Sequence, residues 1–254
     1  MKPFPILNKI FLFPIYYLIH SNKFFGYIQK YYLKKFYYQN IIINLNIDNI
    51  PLANYSSFLF KTYEYNDRRL VEKYIDSSNN CIIIGGGLGF IPVLAYKKSK
   101  RKILVFEINK KLIKNLNDNL IKNNCEFQIY EKNLILGKKT KNNEEFYFNE
   151  DFLCSSKYLN KRKKWVIENI SSDEIKTFEK YNSLIIDGEG IEEYFIQNLN
   201  QLKNIQYIIF ELHFNFFSKN KIETMFKNLE LNKFVFQDKC FNSYYFKKIL
   251  WNLK

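Results

Sequence analysis

The residues Gly85-Gly86-Gly87-Leu88-Gly89 follow directly on Cys81-Ile82-Ile83-Ile84. Four apolar, mostly β-branched residues in a row are the pattern of a short strand buried on both faces. A turn with almost no side chains behind such a strand lets the backbone approach a ligand closely. Eighteen residues beyond Gly89, Glu107 closes a second apolar run, Ile103-Leu104-Val105-Phe106. A carboxylate there can accept hydrogen bonds from both hydroxyls of a ribose, so strand, glycine turn, helix and acid together predict an adenosine-containing cofactor. Two later apolar runs also end in reactive side chains: 183–186 in Asp187-Gly188-Glu189-Gly190, and 207–210 in Glu211-Leu212-His213.

These residues need a scaffold that brings strand ends together. Helical spacing of Leu70, Val71, Tyr74 and Ile75 behind Asn66 or Asp67 predicts a helix over 66–76. Strands are expected at 81–84, 103–106, 126–130, 183–187 and 207–212, with helices from about Phe90, near 109–122, from about Ile191 and over 219–230. Strands alternating with helices mean parallel βαβ units with right-handed crossovers. The last two apolar segments, "KFVFQDK" and "YYFKKIL", read as a terminal antiparallel hairpin. The fold class is therefore α/β, a Rossmann-like doubly wound and mostly parallel sheet with an antiparallel terminal hairpin. Residues 131–180 interrupt the rhythm; "EEFYF" and "WVIENI" look like hairpin strands in an insertion expected to cover the acceptor site. Residues 1–50 read as a basic aromatic helical cap and 51–254 as the main domain, the stretch "IIINLNIDNIPLANYSSFLF" between them as short strands or a ribbon.

The glycine spacing narrows the cofactor. A dinucleotide turn, G-x-G-x-x-G/A counted from Gly85, would put its third small residue at Phe90, where a large ring opposes close helix packing. The pattern present is G-x-G-x-G, at Gly85, Gly87 and Gly89, and it resembles the turn of class I S-adenosylmethionine-dependent methyltransferases. "SLIIDGEGIEEYFIQNL", followed by "IQYIIFELH", resembles the signature of the FkbM-type members, with Asp187, Glu189, Gly190, Glu192, Glu211 and His213 at the matching positions. The resemblance covers about residues 55 to 250. It departs in that Ile84 precedes Gly85 where an Asp is more usual, so the methionine ammonium of the cofactor is expected to lean on backbone carbonyls or on Asp187.

The resemblance implies transfer of a methyl group from S-adenosylmethionine to a hydroxyl of a sugar, glycan or related metabolite. Gly85, Gly87, Gly89, Glu107 and Asp187 would hold the cofactor, and Asp187, Glu189 and His213 would stand near the transferred methyl. An imidazole with its ordinary pKa of about 6.5 could take the acceptor proton at neutral pH, whereas a carboxylate would do so only if raised by burial or a like charge. The alternative reading of His213 is a buried hydrogen-bonding residue, and that of Asp187 with Glu189 is capping of the helix near Ile191. A divalent metal on Asp187, Glu189 and His213 is conceivable but not demanded by the spacing, and none is assigned.

Composition bounds the rest. With 47% hydrophobic and 25% charged residues, the chain of 254 residues is a globular protein with a full core. Thirty-nine Lys and Arg against 25 Asp and Glu give a net charge of +14, which raises nucleic acid or anionic lipid as partners, though scattered lysines in a Lys/Asn/Ile-rich chain produce the same excess. Most of the 20 Tyr and 25 Phe fall in apolar runs that read as core, so no nucleic-acid partner is expected. The cysteines at 81, 125, 154 and 240 lack C-x-x-C pairing, and with two histidines there is no zinc pattern. A cytoplasmic protein without a membrane-spanning helix is expected, with the acid-free segment 1–47 as the point of any contact with a membrane surface. An NAD-dependent oxidoreductase or epimerase and a basic nucleic-acid-binding protein are the rival readings.

Overall fold

The computed structural model describes residues 23–45, 50, 52–148, 155–156 and 163–249. The chain divides into two compact units, Met1–Tyr65 and Asn66–Lys254, whereas the sequence pattern places its boundary after residue 50.

In the first unit a short helix α1 (Lys23–Ile28) runs into a π-helical turn (Gln29–Leu33), then a hairpin of β1 (Lys35–Tyr38) and β2 (Ile41–Asn44), then α2 (Leu52–Leu59). The expected helical cap is thus corrected over 35–38, whereas β2 falls in the stretch read as short strands or a ribbon. Phe36, Ile41 and Ile43 are buried at every second position, and that two-residue alternation selects strands over a helix. The expected ribbon over 52–59 is a helix instead, burying Tyr55, Ser56 and Phe58 on one side. Gly26 lets α1 lie directly on α2, since a Cβ at 26 would collide with the Leu52 carbonyl. Residues 1–22 of the expected cap lie outside the described residues.

The second unit begins with α3 (Tyr65–Tyr74) and alternates strand and helix: β3 (Cys81–Ile84), α4 (Phe90–Ser99), β4 (Ile103–Phe106), α5 (Lys110–Lys122) and β5 (Phe127–Tyr130). The insertion follows, with β6 (Asn133–Ile135), β7 (Asn143–Phe148), β8 (Ser155–Ser156) and β9 (Lys163–Ser171) forming a separate four-stranded sheet in the order β6-β9-β7-β8. As expected, its centre is the antiparallel pair of β7 and β9. Of the basic run 161–164, Lys161 and Arg162 lie outside the described residues. The rhythm then resumes with β10 (Ser183–Ile186), α6 (Glu192–Gln197), β11 (Tyr207–Glu211) and α7 (Lys219–Leu231), and ends in β12 (Phe234–Cys240) and β13 (Ser243–Lys248).

The main sheet has seven strands in the order β12-β13-β11-β10-β3-β4-β5. From β5 to β11 every pairing is parallel, and β13 runs antiparallel to both of its neighbours. The doubly wound sheet with an antiparallel terminal hairpin is therefore borne out. The chain winds outward from β3 to β5 and then returns to the other side of β3 for β10. Strand order reverses between β3 and β10, whose ends are aligned by the pairing of Ile84 with Ile186.

Complete burial of β3, β4 and β10 explains their unbroken apolar runs. The far side of the sheet is held by aromatic rings: Phe210 of β11 lies 5.6 Å from Tyr244 and 5.9 Å from Phe246 of β13, centroid to centroid. Phe210 is fully buried. Phe210→Ala is expected to cost about 3–5 kcal/mol, read as a lower urea midpoint with an unchanged slope.

Candidate active site at the carboxyl edge of the sheet

Ligands of open α/β sheets bind beyond the carboxyl ends of the strands where strand order reverses. Here that position carries the glycine turn on one side and Asp187 on the other. Gly85, Gly87 and Gly89 have φ of 88°, 51° and 91°, a region that side chains disfavour. A Cβ on Gly85 would collide with the carbonyl oxygen of Asp187, and one on Gly86 would come within 2.7 Å of Leu116 and Val105. The glycines thus let two strand ends and helix α5 close on one another while leaving bare backbone at the mouth.

Glu107 stands at the end of β4, as expected, and is buried. Its Oε2 accepts from the Gly87 N–H at 2.9 Å and its Oε1 from the Asn109 N–H at 2.7 Å. Burial pushes its pKa above the usual carboxylate range, while the backbone donors, those of Asn109 and Gly87 foremost, oppose that rise. A further residue secures the turn: Asn119 of α5, fully buried, donates to the Leu88 carbonyl at 2.9 Å. Its signal in the sequence is an amide on the otherwise apolar stripe Leu112, Leu116, Leu120 of α5.

The second group of side chains converges on His213. Its Nδ1 lies 3.1 Å from Oε1 of Glu192, and its Nε2 lies 3.6 Å from Oδ1 of Asp187 and 4.0 Å from Oε2 of Glu211. Glu192 is fully buried and also accepts from the backbone N–H groups of Gly188 and Gly190. Glu211 accepts from Asn242, which accepts in turn from Asn66. Glu189 sits in the turn with a left-handed φ of 49°. The structure places Asp187 and His213 side by side; the sequence pattern does not show the contacts of Glu192 or the Glu211–Asn242–Asn66 chain, which joins segments far apart in sequence.

Burial alone would lower the pKa of His213, but the Glu192 hydrogen bond and the charges of Asp187, Glu192 and Glu211 override it and raise it to about 10. That upward direction opposes the reading of His213 as proton acceptor at neutral pH. Asp187, Glu211 and His213 also present one ligand atom each within 4.8 Å of one another, a set that could hold a divalent cation. With three carboxylates around one imidazolium, this corner of a basic protein is acidic.

A curated relative, the ribosomal protein L11 methyltransferase of Staphylococcus haemolyticus (strain JCSC1435), is 26% identical over 141 residues, which make up 56% of this chain and 41% of that protein. The chain thus matches less than half the length of this relative. In this segment, and in the glycine turn and strand order of its sheet, the chain is similar to class I S-adenosylmethionine-dependent methyltransferases. Among solved structures, ribosomal protein L11 methylase from Lactobacillus delbrueckii subsp. bulgaricus is similar with a TM-score of 0.45 and 11% identity, covering 72% of this chain and 77% of that one. A putative tRNA (m1A22) methyltransferase from Streptococcus pneumoniae, in complex with S-adenosyl-L-methionine, has a TM-score of 0.43 and 10% identity, covering 74% of each chain. No protein-family model matches the chain. The expected partners, a small-molecule or glycan acceptor and no nucleic acid, are corrected: the curated relative is named for a ribosomal protein as its acceptor. Among the described residues no helix is long and apolar enough to cross a membrane.

Gly85→Ala combines a left-handed backbone with a collision at Asp187 and is expected to cost at least about 1–3 kcal/mol in thermal unfolding. The raised pKa of His213 makes its contribution to stability complete below about pH 6.5 and lost as pH rises through about 10. The difference in unfolding free energy between wild type and His213→Asn should shrink across that window, and imidazole NMR shifts should still report the protonated ring at pH 8.

Proposed function

We propose that the chain is an S-adenosylmethionine-dependent methyltransferase that modifies an amine nitrogen of a protein acceptor. The cofactor assignment is supported by the bare turn at Gly85, Gly87 and Gly89, by Glu107 at its edge, and by the position of both at the reversal of strand order. S-adenosylmethionine supplies an electrophilic methyl group on a positively charged sulfur. In this reading the glycine backbone takes the methionine portion, Glu107 the ribose hydroxyls, and Asp187 the methionine ammonium.

The acceptor class rests on one observation: the carboxylates of Asp187 and Glu211 flank His213 at the ends of adjacent strands. An acidic mouth attracts an ammonium group and repels phosphate. It also offers a carboxylate to receive the proton that an amine must shed to become a nucleophile. His213, between the two carboxylates, is the partner that orients Asp187 and Glu211. The FkbM-type resemblance contributes its residues Asp187, Glu189, Gly190, Glu192, Glu211 and His213 to this reading. Transfer to a hydroxyl is the finer expectation it carried, and a hydroxyl gains less than an ammonium from surrounding carboxylates.

Calorimetric titration with S-adenosylhomocysteine is expected to show micromolar binding that is lost in Glu107→Ala, with no binding of NAD. Labelled methyl from S-adenosylmethionine, offered to separated ribosomal proteins and ribosomal RNA, should enter the protein fraction as base-stable methylamine. Asp187→Asn should lower that rate at least about 100-fold with the protein still folded. Label in the RNA fraction would reject the amine reading while keeping the cofactor; binding of NAD alone would reject both.

A further inference from the structure

The first unit carries a surface that the transfer reaction does not use. Residues 1–65 contain seven lysines against Asp48 and Glu64. Helix α1 and its π turn spend one face on α2, burying Gly26 and Gln29, and Gln29 Nε2 donates to the Lys35 carbonyl at 2.7 Å. That bond sets the start of β1 beside the π turn. The opposite face is aromatic and exposed: Tyr27 is 47% exposed, Tyr31 50%, Tyr32 74% and, on β1, Tyr37 53%. Tyr27 stands 4.6 Å from Tyr31 and 6.2 Å from Tyr32, centroid to centroid. Lys30 Nζ lies 5.5 Å from the Tyr31 centroid. Lys34 closes the π turn with a left-handed φ of 55°, and Lys34 and Lys35 are both exposed.

Exposed rings interleaved with lysines are the two components of single-stranded nucleic-acid binding: bases stack on the rings and phosphates pair with the ammonium groups. We propose that this face of residues 27–37 binds single-stranded RNA or DNA, with Tyr27, Tyr31, Tyr32 and Tyr37 as stacking platforms and Lys30, Lys34 and Lys35 as phosphate contacts. A membrane surface fits it less well. The helix has six residues and the π turn five, too short for a long apolar stripe, and hydroxyl-bearing rings outnumber the exposed Phe24 and Leu33. This surface is argued independently of the methyl transfer, and its failure would leave that reading intact.

The test uses the full chain and a fluorescein-labelled, mixed-sequence single-stranded 12-mer, followed by anisotropy from 50 to 300 mM salt. Binding should weaken with salt. Tyr31→Ala/Tyr32→Ala should weaken it about tenfold or more, whereas Tyr31→Phe/Tyr32→Phe, which keeps the rings, should bind as wild type does. Lys34→Gln/Lys35→Gln should reduce the slope of log affinity against log salt by about 1.4. All these side chains are exposed, and circular dichroism should show each variant folded. Three results would overturn the proposal: no salt-dependent binding, equal binding by the tyrosine-to-alanine pair, or loss in that pair of sedimentation with phosphatidylglycerol vesicles but not of oligonucleotide binding.

Discussion

Everything at the candidate site depends on how closely Gly85 lies against the backbone of Asp187. Parallel strands β3 and β10 are neighbours in the sheet, and the chain leaves them toward opposite sides. Their ends can meet only where no side chain stands between them, and a Cβ at 85 would occupy the place of the Asp187 carbonyl. The glycine therefore does two things at once. It permits the strand ends to close, and it leaves a concave stretch of backbone next to an acidic side chain. Glu107 and Asn119 then hold that stretch from the β4 and α5 side, one through the Gly87 N–H and the other through the Leu88 carbonyl.

Charge is distributed unevenly over this chain, and the distribution separates two roles. The net charge is +14, yet the mouth of the sheet gathers Asp187, Glu192 and Glu211 around one histidine. A buried carboxylate such as Glu192 is tolerable only when its lone pairs are filled, and two backbone N–H groups and an imidazolium fill them. The same contacts tie the turn after β10 to the end of β11, so orientation of Asp187 and His213 is a property of the whole corner. The basic excess lies elsewhere, and part of it is interleaved with exposed tyrosines in the first unit.

Legibility in the sequence varied with the range of the interaction involved. Strands β3, β4 and β10 were readable because burial on both faces forces an unbroken apolar run, and the terminal hairpin because two such runs stand close together. Strand β1 and its pairing with β2 were missed: Phe36 is buried within a segment of four residues, too short to stand out against a background rich in Ile, Tyr and Phe. Tyr27, Tyr31 and Tyr32 look like core residues by composition and are exposed because the adjoining Gly26 and Gln29 supply the packed face. The expected glycan acceptor failed for a different reason. It came from a resemblance of strand-end motifs, and such motifs report the cofactor side of a site far better than the acceptor side.

The sequence by itself determined the order of strands and helices, the bare turn at Gly85, Gly87 and Gly89, and Glu107 at its proper distance, since each depends on neighbours a few residues away. Only the tertiary structure decided the protonation of His213 and the importance of Glu192, Glu211, Asn242 and Asn119. Those depend on contacts between residues 21 to 176 positions apart, and a pKa follows from the charges and burial around a group. Periodicity carries information about which face of an element is buried; it carries none about which two elements share that burial.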